Sequence, residues 1–536
     1  MCQKRGQYGG NVTRWLQGFA NVLQIVAIII LWRDVVVQTI LRHRLCVTRR
    51  GAREAIARRD ERHYTIHFIS TIFLGDCMSE TVTTNENAPS SWRFPKTFWF
   101  ANSMELCERA AYYGFFILIT LYLSSVVGFT DIEAGVISGL FSGALYLLPP
   151  FMGIIADRIG FRTAMILAFS LLTFGYGMLG VWTTKVSVCL FLCVLVFGAA
   201  FIKPLITGTV AKTTNASNRA RGFSLFYWTV NIGAFLGKTF IPFIRQEIGL
   251  HYVNFFSAAV CAVALIIAIL FYHPESGETE RKSFGELFRS LGKILINARL
   301  MALTIIIAGF WTVQQQLYAT MPKYVIRTVG ESARPEWIAN VNPLVVVICV
   351  IFVTQWMRHK KAITSMTIGM FIMPFSAFAM SLGPWLNDAF GSSIMGLHPF
   401  TFMLVVGIAL QGLAECFISP RFLEYFSLQA PKGEEGVYLG FSHLHSFFSA
   451  IFGFFISGFL LDKYCPARET LPAGLSDAEI ATYYENAHHI WYYFVGIAAV
   501  AGVALVIYTA ICRAVDKKKA TDPAQSDEAA KPENLP

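Results

Sequence analysis

Charge is scarce in this sequence. Asp, Glu, Lys and Arg make up 15% of its 536 residues, while 55% are hydrophobic and 14% aromatic. Soluble domains carry about 25% charged residues. This composition, with a mean hydropathy of +0.51, excludes a soluble globular protein and implies a chain that crosses a membrane many times. The signatures of chemistry are missing as well: there is no Gly-rich phosphate loop, no metal-type His/Cys spacing and no nucleophile elbow. No enzyme activity, metal or cofactor is therefore expected. The eleven cysteines are scattered, mostly through apolar runs (Cys189, Cys193, Cys261, Cys349, Cys416), without the pairing of a disulfide framework.

What is present is a series of apolar stretches. Windows of about twenty residues, the length that crosses a bilayer as a helix, fall near 98–126, 132–156, 163–182, 186–211, 222–244, 251–272, 300–322, 338–357, 362–382, 400–424, 436–461 and 489–512. The longest gap, 273–299, divides these twelve expected helices into two sets of six. The expected fold is an all-α polytopic membrane protein with one six-helix bundle over 94–272, a cytoplasmic linker over 273–299 and a second bundle over 300–512. Two such sets are the architecture of transporters built from repeats, although the repeat shows in hydropathy and not in residue identity.

Lysine and arginine orient the helices. The gaps after the second, fourth, sixth, eighth and tenth helices hold Arg158 and Arg162; Lys212, Arg219 and Arg221; Arg281, Lys282, Arg289, Lys293 and Arg299; Arg358, Lys360 and Lys361; and Arg421 and Lys432. The alternate gaps hold fewer, chiefly Lys185, Arg245, Lys323, Arg327, Arg334, Lys463 and Arg468. The positive-inside rule places both ends of the twelve-helix unit in the cytoplasm. The net charge of +10 is then loop charge facing anionic headgroups of a cell membrane and calls for no nucleic acid. Residues 513–536, rich in Lys, Ala, Glu, Asp and Pro, are expected to form a disordered cytoplasmic tail. Residues 1–93 are an N-terminal extension rich in arginine, with one apolar run at 15–32 and a polar lead opening at Met78; the part before Met78 is expected not to belong to the protein. The glycosylation spacings at Asn11 and Asn215 are read as chance matches.

Against this background a few polar residues stand out. "GIIADRIGFR", residues 153–162, falls at the cytoplasmic turn after the second helix. Gly153 supplies a tight turn there, and Asp157 and Arg158 are placed to bond neighbouring helix ends and close the inner side; a plain solvated turn is the alternative. A charge at hydrocarbon depth is costly without a partner, so its default reading is function. Glu105, Glu108 and Arg109 lie within about one turn on one face of the first helix, where they can pair. Lys203 lies well inside the fourth helix and Glu415 in the tenth. Helix capping is the alternative for Glu105, and snorkelling to the interface for Lys203 and Glu415.

These residues resemble one family. The loop at 153–162 is similar to the G-x-x-x-D-R-x-G-[RK] signature of the major facilitator superfamily, with Phe161 where a basic residue is usual. "ELCERAAYYG" resembles the E-x-x-E-R-[FY]-x-Y-Y-G motif of its proton-coupled oligopeptide transporters, and "FSLFYWTVNIGAFLG", 223–237, their fifth-helix signature. "IKP" at 202–204, Asn342-Pro343 and "AECFISP" match further motifs, so that the resemblance covers about 95–512. It implies symport of protons with di- or tripeptides by alternating access, in a monomer. The residues so implied are Glu105, Glu108 and Arg109 for proton coupling, with Arg109 and Lys203 facing the peptide carboxylate. Glu415 would face the amino terminus, Asn231 and Asn342 the amides, and Tyr112, Tyr113, Tyr146 and Trp311 would line the pocket.

The departures are informative too. In "FWTVQQQLYA" the acidic position of the family's F-W-x-x-x-E-Q-G-S is Gln315, so the pocket lacks a carboxylate that would pair with the first-helix Arg or fourth-helix Lys. Ala110 replaces an aromatic residue, and the eleventh-helix Trp is replaced near Ser442. The neighbouring "SHLHS" sets His443 and His445 two apart, so at most one is expected to look into the cavity, with an interhelical hydrogen bond as its expected role. The departures leave open a carrier of another small solute with weak or no proton coupling, and a non-transporting sensor.

Overall fold

The computed structural model describes residues 94–214, 219–274, 284–330, 333–357, 359–391, 393–427, 429, 441–472 and 474–521. The expectations for residues 1–93, for both glycosylation spacings and for the tail beyond 521 lie outside them. The chain divides into two compact units, Met1–Asp76 with Phe390–His398, and Cys77–Ala389 with Pro399–Pro536. In the first, the described residues form a tight turn, closed by the Ile394–Leu397 bridge around Met395 at φ 52°.

The second unit is a helical bundle. Its first span is broken into Lys96–Phe116 and Ile119–Ser125, bent by 46°. Leu118 N bonds back to Phe115 O at 3.0 Å, an i→i−3 bond that tightens the chain at the break. The second span is Asp131–Leu147 followed by Pro149–Ile159, bent by 51°. Pro149 and Pro150 have no N–H to give to the preceding turn, so the ladder stops and a new helix opens on proline. Thr130 starts this span with a capping box: its hydroxyl accepts from Glu133 N at 3.2 Å and its own N–H donates to Glu133 Oε2 at 2.9 Å. The turn into Phe161–Val181 needs Gly160, whose φ of 86° suits a residue without Cβ. Lys185–Lys212, Arg219–Glu247 and Tyr252–Leu270 complete the first lobe.

Ala298–Ala319, Pro335–Met357, Ala362–Ser381, Pro399–Ser427, Leu444–Tyr464 and His489–Thr521 make the second lobe. Among the described residues, nine helices and two bent pairs are long and apolar enough to cross a membrane. Arg219–Glu247 is the twelfth span, its 29 residues diluted by Asn231, Lys238 and Arg245. Large apolar side chains such as Phe174, Phe197, Phe375 and Val500 point outward, as lipid demands, while polar groups turn inward.

Three boundaries differ from expectation. The linker contains the helix Phe284–Ile296, and the seventh span begins at Ala298, where Asn297 Oδ1 accepts from Leu300 N at 3.1 Å. The last span continues through 513–521 as helix, with Arg299 Nη2 bonding Asp516 Oδ1 at 2.7 Å, which corrects the disordered reading for those residues. The eleventh span runs Leu444–Tyr464; residues 430–440, where it was expected to begin, are not described.

The lobes are locked together at the end that carries Thr130 and Cys465. Second and eleventh spans touch backbone to backbone there: a Cβ on Gly135 would lie 2.4 Å from Phe454 O, and one on Gly458 would lie 2.5 Å from Asp131 O. Asp131 of the first lobe accepts from Lys323 Nζ at 2.6 Å and from Arg327 Nη1 at 2.6 Å, and Arg327 also donates to Cys465 O. A second bridge joins Arg245 Nε to Glu336 Oε1 at 2.7 Å, both buried, with Arg245 Nη2 on Ala333 O.

Candidate functional site

At mid-depth, between the lobes, lies a cluster of charged and phenolic groups. Glu105 and Glu108 sit in the middle of the Lys96–Phe116 helix, so neither caps it. Arg109 Nε lies 3.2 Å from Glu105 Oε1 and also donates to Glu108 Oε2. All three are at least nine-tenths buried, and Glu105 Oε2 has no hydrogen-bond partner among the described residues. The Arg109 guanidinium stands 5.3 Å from the Tyr112 ring and 5.9 Å from Tyr113. The i, i+3 and i, i+4 spacing of one helix is enough to bring these charges together.

Lys203 Nζ sits 5.0 Å over the Tyr146 ring. Across the cleft, Tyr146 stacks toward His443, 6.3 Å between centroids, and Tyr113 faces Tyr318 at 6.3 Å. Glu415 is half-buried. Its Oε2 accepts from Gln314 Nε2 at 3.0 Å and from Asn342 Nδ2 at 3.4 Å. Asn231 uses its amide N–H on Tyr227 O, at 2.8 Å. Lys203, Tyr113, Tyr146, Asn231 and Trp311 are all half-buried although they lie in helix interiors, the signature of a polar cleft between lobes.

At the basic-loop end, Gly153 approaches Pro204, 3.4 Å from the position of an added Cβ. On the neighbouring turn, Lys212 Nζ lies 4.0 Å over the Phe161 ring. The residue that departs from the loop signature is thus a seat for a cation. Arg158 ends the helix that holds Gly153.

A family model described as Major Facilitator Superfamily matches residues 103–397, more than half of the chain. The chain belongs to the major facilitator superfamily. Dipeptide and tripeptide permease B of Edwardsiella piscicida is 24% identical to it over 464 residues, 73% of this chain and 90% of that protein. Peptide transporter family 1 of Drosophila melanogaster is 29% identical over 167 residues, 29% of this chain and 22% of that protein. The crystal structure of an auto-inhibited POT family peptide transporter superposes with a TM-score of 0.62 at 17% identity, covering 77% of this chain and 97% of that one. The superfamily and this shared fold make the chain a multi-pass membrane transport protein.

Within this superfamily member the structure alters three expectations for single residues. Of three consecutive glutamines, Gln314 bonds Glu415, Gln316 bonds Thr312 O and Gly453 O, and Gln315 is buried with its Cβ against Gly453. Asn342, expected to meet a peptide amide, donates one amide N–H to Glu415 Oε2 and keeps a second N–H and its carbonyl oxygen. His443 and His445 were expected on different faces, but His443 precedes the first turn of the helix, and the two rings come within 6.1 Å. His445 makes its hydrogen bonds locally and not between helices: Nδ1–H donates to Ser442 O at 2.7 Å, which leaves Nε2 to accept from Ser446 Oγ at 3.0 Å. Its ring packs 5.5 Å from Trp311 and 4.8 Å from Phe422.

Sequence reasoning passed over Lys238, Tyr227, Tyr318 and Gln314. Lys238 carried a usable signal, since it is a lysine well inside an expected span. The others did not, because a tyrosine or glutamine in an apolar helix has no distinguishing pattern.

Proposed function

We propose that this chain is a proton-coupled symporter of small peptides, working as a monomer by alternating access in a cell membrane, with both ends of the twelve-helix unit in the cytoplasm. The observation that carries this reading is the buried Arg109, shared between Glu105 and Glu108, with Lys203 half-buried against Tyr146. A peptide carboxylate arriving at Arg109 and Lys203 competes with the two glutamates for the same cations. A glutamate that loses its counter-charge in a low-dielectric cleft is stabilised by binding a proton. Proton and peptide uptake are thereby linked.

Tyr112, Tyr113, Tyr146 and Trp311 flank the ligand, the Asn231 carbonyl oxygen accepts from its amide, and Glu415 with Asn342 takes its amino-terminal end. In this reading the Asp131 end is extracellular and closed, and the Gly153, Asp157 and Arg158 turn closes the opposite side when the lobes rock. The test is peptide uptake into proteoliposomes under an imposed pH gradient. Glu108→Gln is expected to abolish gradient-driven accumulation while leaving peptide exchange; accumulation at the wild-type level in this variant refutes the coupling.

A further inference from the structure

The segment that joins the two lobes contains a helix too short to cross a bilayer and too apolar for a plain loop. Phe284–Ile296 is 13 residues, about 20 Å long, against a hydrocarbon core of about 30 Å. Its residues sort into two faces. Phe284, Leu287, Phe288, Leu291, Ile294 and Leu295 recur at helical spacing on one side, and Glu286, Arg289 and Lys293 fall on the other. The protein covers part of the apolar side: Ile294 is buried, and the Phe288 ring meets the Phe151 ring at 5.4 Å between centroids. Part stays open, with Phe288 58% and Leu295 47% exposed, and Arg289 and Lys293 are exposed on the polar side. Asn297 fixes the depth of this helix. With ψ at 94° it ends the helix, its N–H donating to Lys293 O at 3.2 Å, and its side chain caps the seventh span, which begins at Ala298. The exposed apolar edge therefore lies where a membrane span enters its leaflet, at the basic-loop end.

We propose that the Phe284–Ile296 helix is a docking site for anionic phospholipid in that leaflet, with Phe288 and Leu295 among the acyl chains and Arg289 and Lys293 on phosphate groups. The leaflet is the cytoplasmic one in the orientation proposed above. An amphipathic helix with cations on its polar face binds in the plane of an interface in this way. Two observations select lipid over a protein partner. The helix leads through a single residue, Asn297, into a membrane span, so a bilayer borders its exposed edge. The second observation is charge. Glu286, the one acidic residue of the helix, sits in its first turn, whereas 287–296 carry both cations and both exposed side chains, which suits an anionic surface. The site also touches a moving part of the fold. Phe151, which Phe288 contacts, is two residues past Pro149, where the second span bends by 51°. A linker helix held to the leaflet thus holds the inner half of that span.

The experiment titrates phosphatidylglycerol or phosphatidylcholine into the purified full chain in an uncharged detergent and reads the unfolding temperature. Phosphatidylglycerol is expected to raise it at a lower concentration than phosphatidylcholine, and high salt to remove the difference. Inorganic phosphate is expected to leave it unchanged. A basic side chain at an anionic surface is worth about a factor of five in affinity, so Arg289→Gln with Lys293→Gln is expected to need at least ~10-fold more phosphatidylglycerol. Lys360→Gln with Lys361→Gln, which removes two exposed cations from another loop at the same end, is expected to keep the wild-type response. Equal responses to the two lipids, an equal loss in both double variants, or a rise produced by inorganic phosphate overturns the proposal. A bimane label on Leu295→Cys, corrected for the wild-type signal, is expected to be quenched by phospholipids with brominated acyl chains. Absence of quenching would put that face in water or under a partner protein and overturn the proposal. Should the double variant at 289 and 293 fail to fold, the lipid ranking and the quenching decide the matter.

Discussion

Replacing Asp131 with asparagine removes the charge at the centre of the lock between the lobes and keeps its shape. Asp131 is 5% exposed, holds Lys323 Nζ and Arg327 Nη1 each at 2.6 Å, and opens a helix whose N-terminal dipole also favours a carboxylate. Deleting one partner of a buried ion pair costs about 3–5 kcal/mol, because the charge left behind has no counter-charge. Lys323 and Arg327 lie in the second lobe, so this cost falls on the conformation in which the lobes meet at this end. In the separated conformation both cations reach water. Since every 1.4 kcal/mol is about a factor of ten, Asp131→Asn is expected to move the equilibrium by ~100-fold or more toward the form open at the Asp131 end.

Spin labels at Val186 and Glu469, both exposed and one on each lobe, report that opening as a longer distance in pulsed dipolar spectra. Glu133→Gln is the control. Its partner Lys185 is at 3.2 Å, but both side chains are about half exposed, and such a pair contributes roughly 0–1 kcal/mol. Distance distributions that are the same in Asp131→Asn, Glu133→Gln and the wild type refute the assignment of Asp131 as the lock.

Three further outcomes follow from the same structure. Gly135→Val places side-chain atoms where even a Cβ would lie 2.4 Å from Phe454 O, so the second and eleventh spans separate, and uptake into proteoliposomes is expected to fall well below the wild-type rate; an unchanged rate would show that this contact does not matter to the transport cycle. Glu336→Gln removes the carboxylate that Arg245 Nε bonds at 2.7 Å, and the purified protein is expected to unfold at a lower temperature in detergent; an unchanged transition would show the Arg245 bridge to be redundant. Gln315→Glu puts a carboxylate at the seventh-span position that lacks one, and the dependence of uptake on pH between about 5 and 8 is expected to change; identical profiles would mean that position 315 takes no part in coupling.

Much of this protein is legible in its residues alone, because lipid imposes local rules. A bilayer-length apolar run must close its own backbone hydrogen bonds, so twelve spans and two sets of six follow from hydropathy, with errors only at ends such as Ala298 and Thr521. A charge inside such a run needs a reason, so Glu105, Glu108, Arg109, Lys203 and Glu415 declare themselves, and the spacing along a single helix suffices to pair the first three.

Partners from different helices are another matter. Nothing in the local pattern joins Asp131 to Lys323 and Arg327, or Arg245 to Glu336, residues far apart along the chain and read from the sequence as loop charges or not at all. Those pairings depend on which faces of the spans meet when the lobes pack. The same holds for the three glutamines: Gln314 reaches Glu415, while Gln315 and Gln316 both lie against Gly453 of the eleventh span. Long-range packing assigns each amide and each charge its partner, and that assignment cannot be read from spacing.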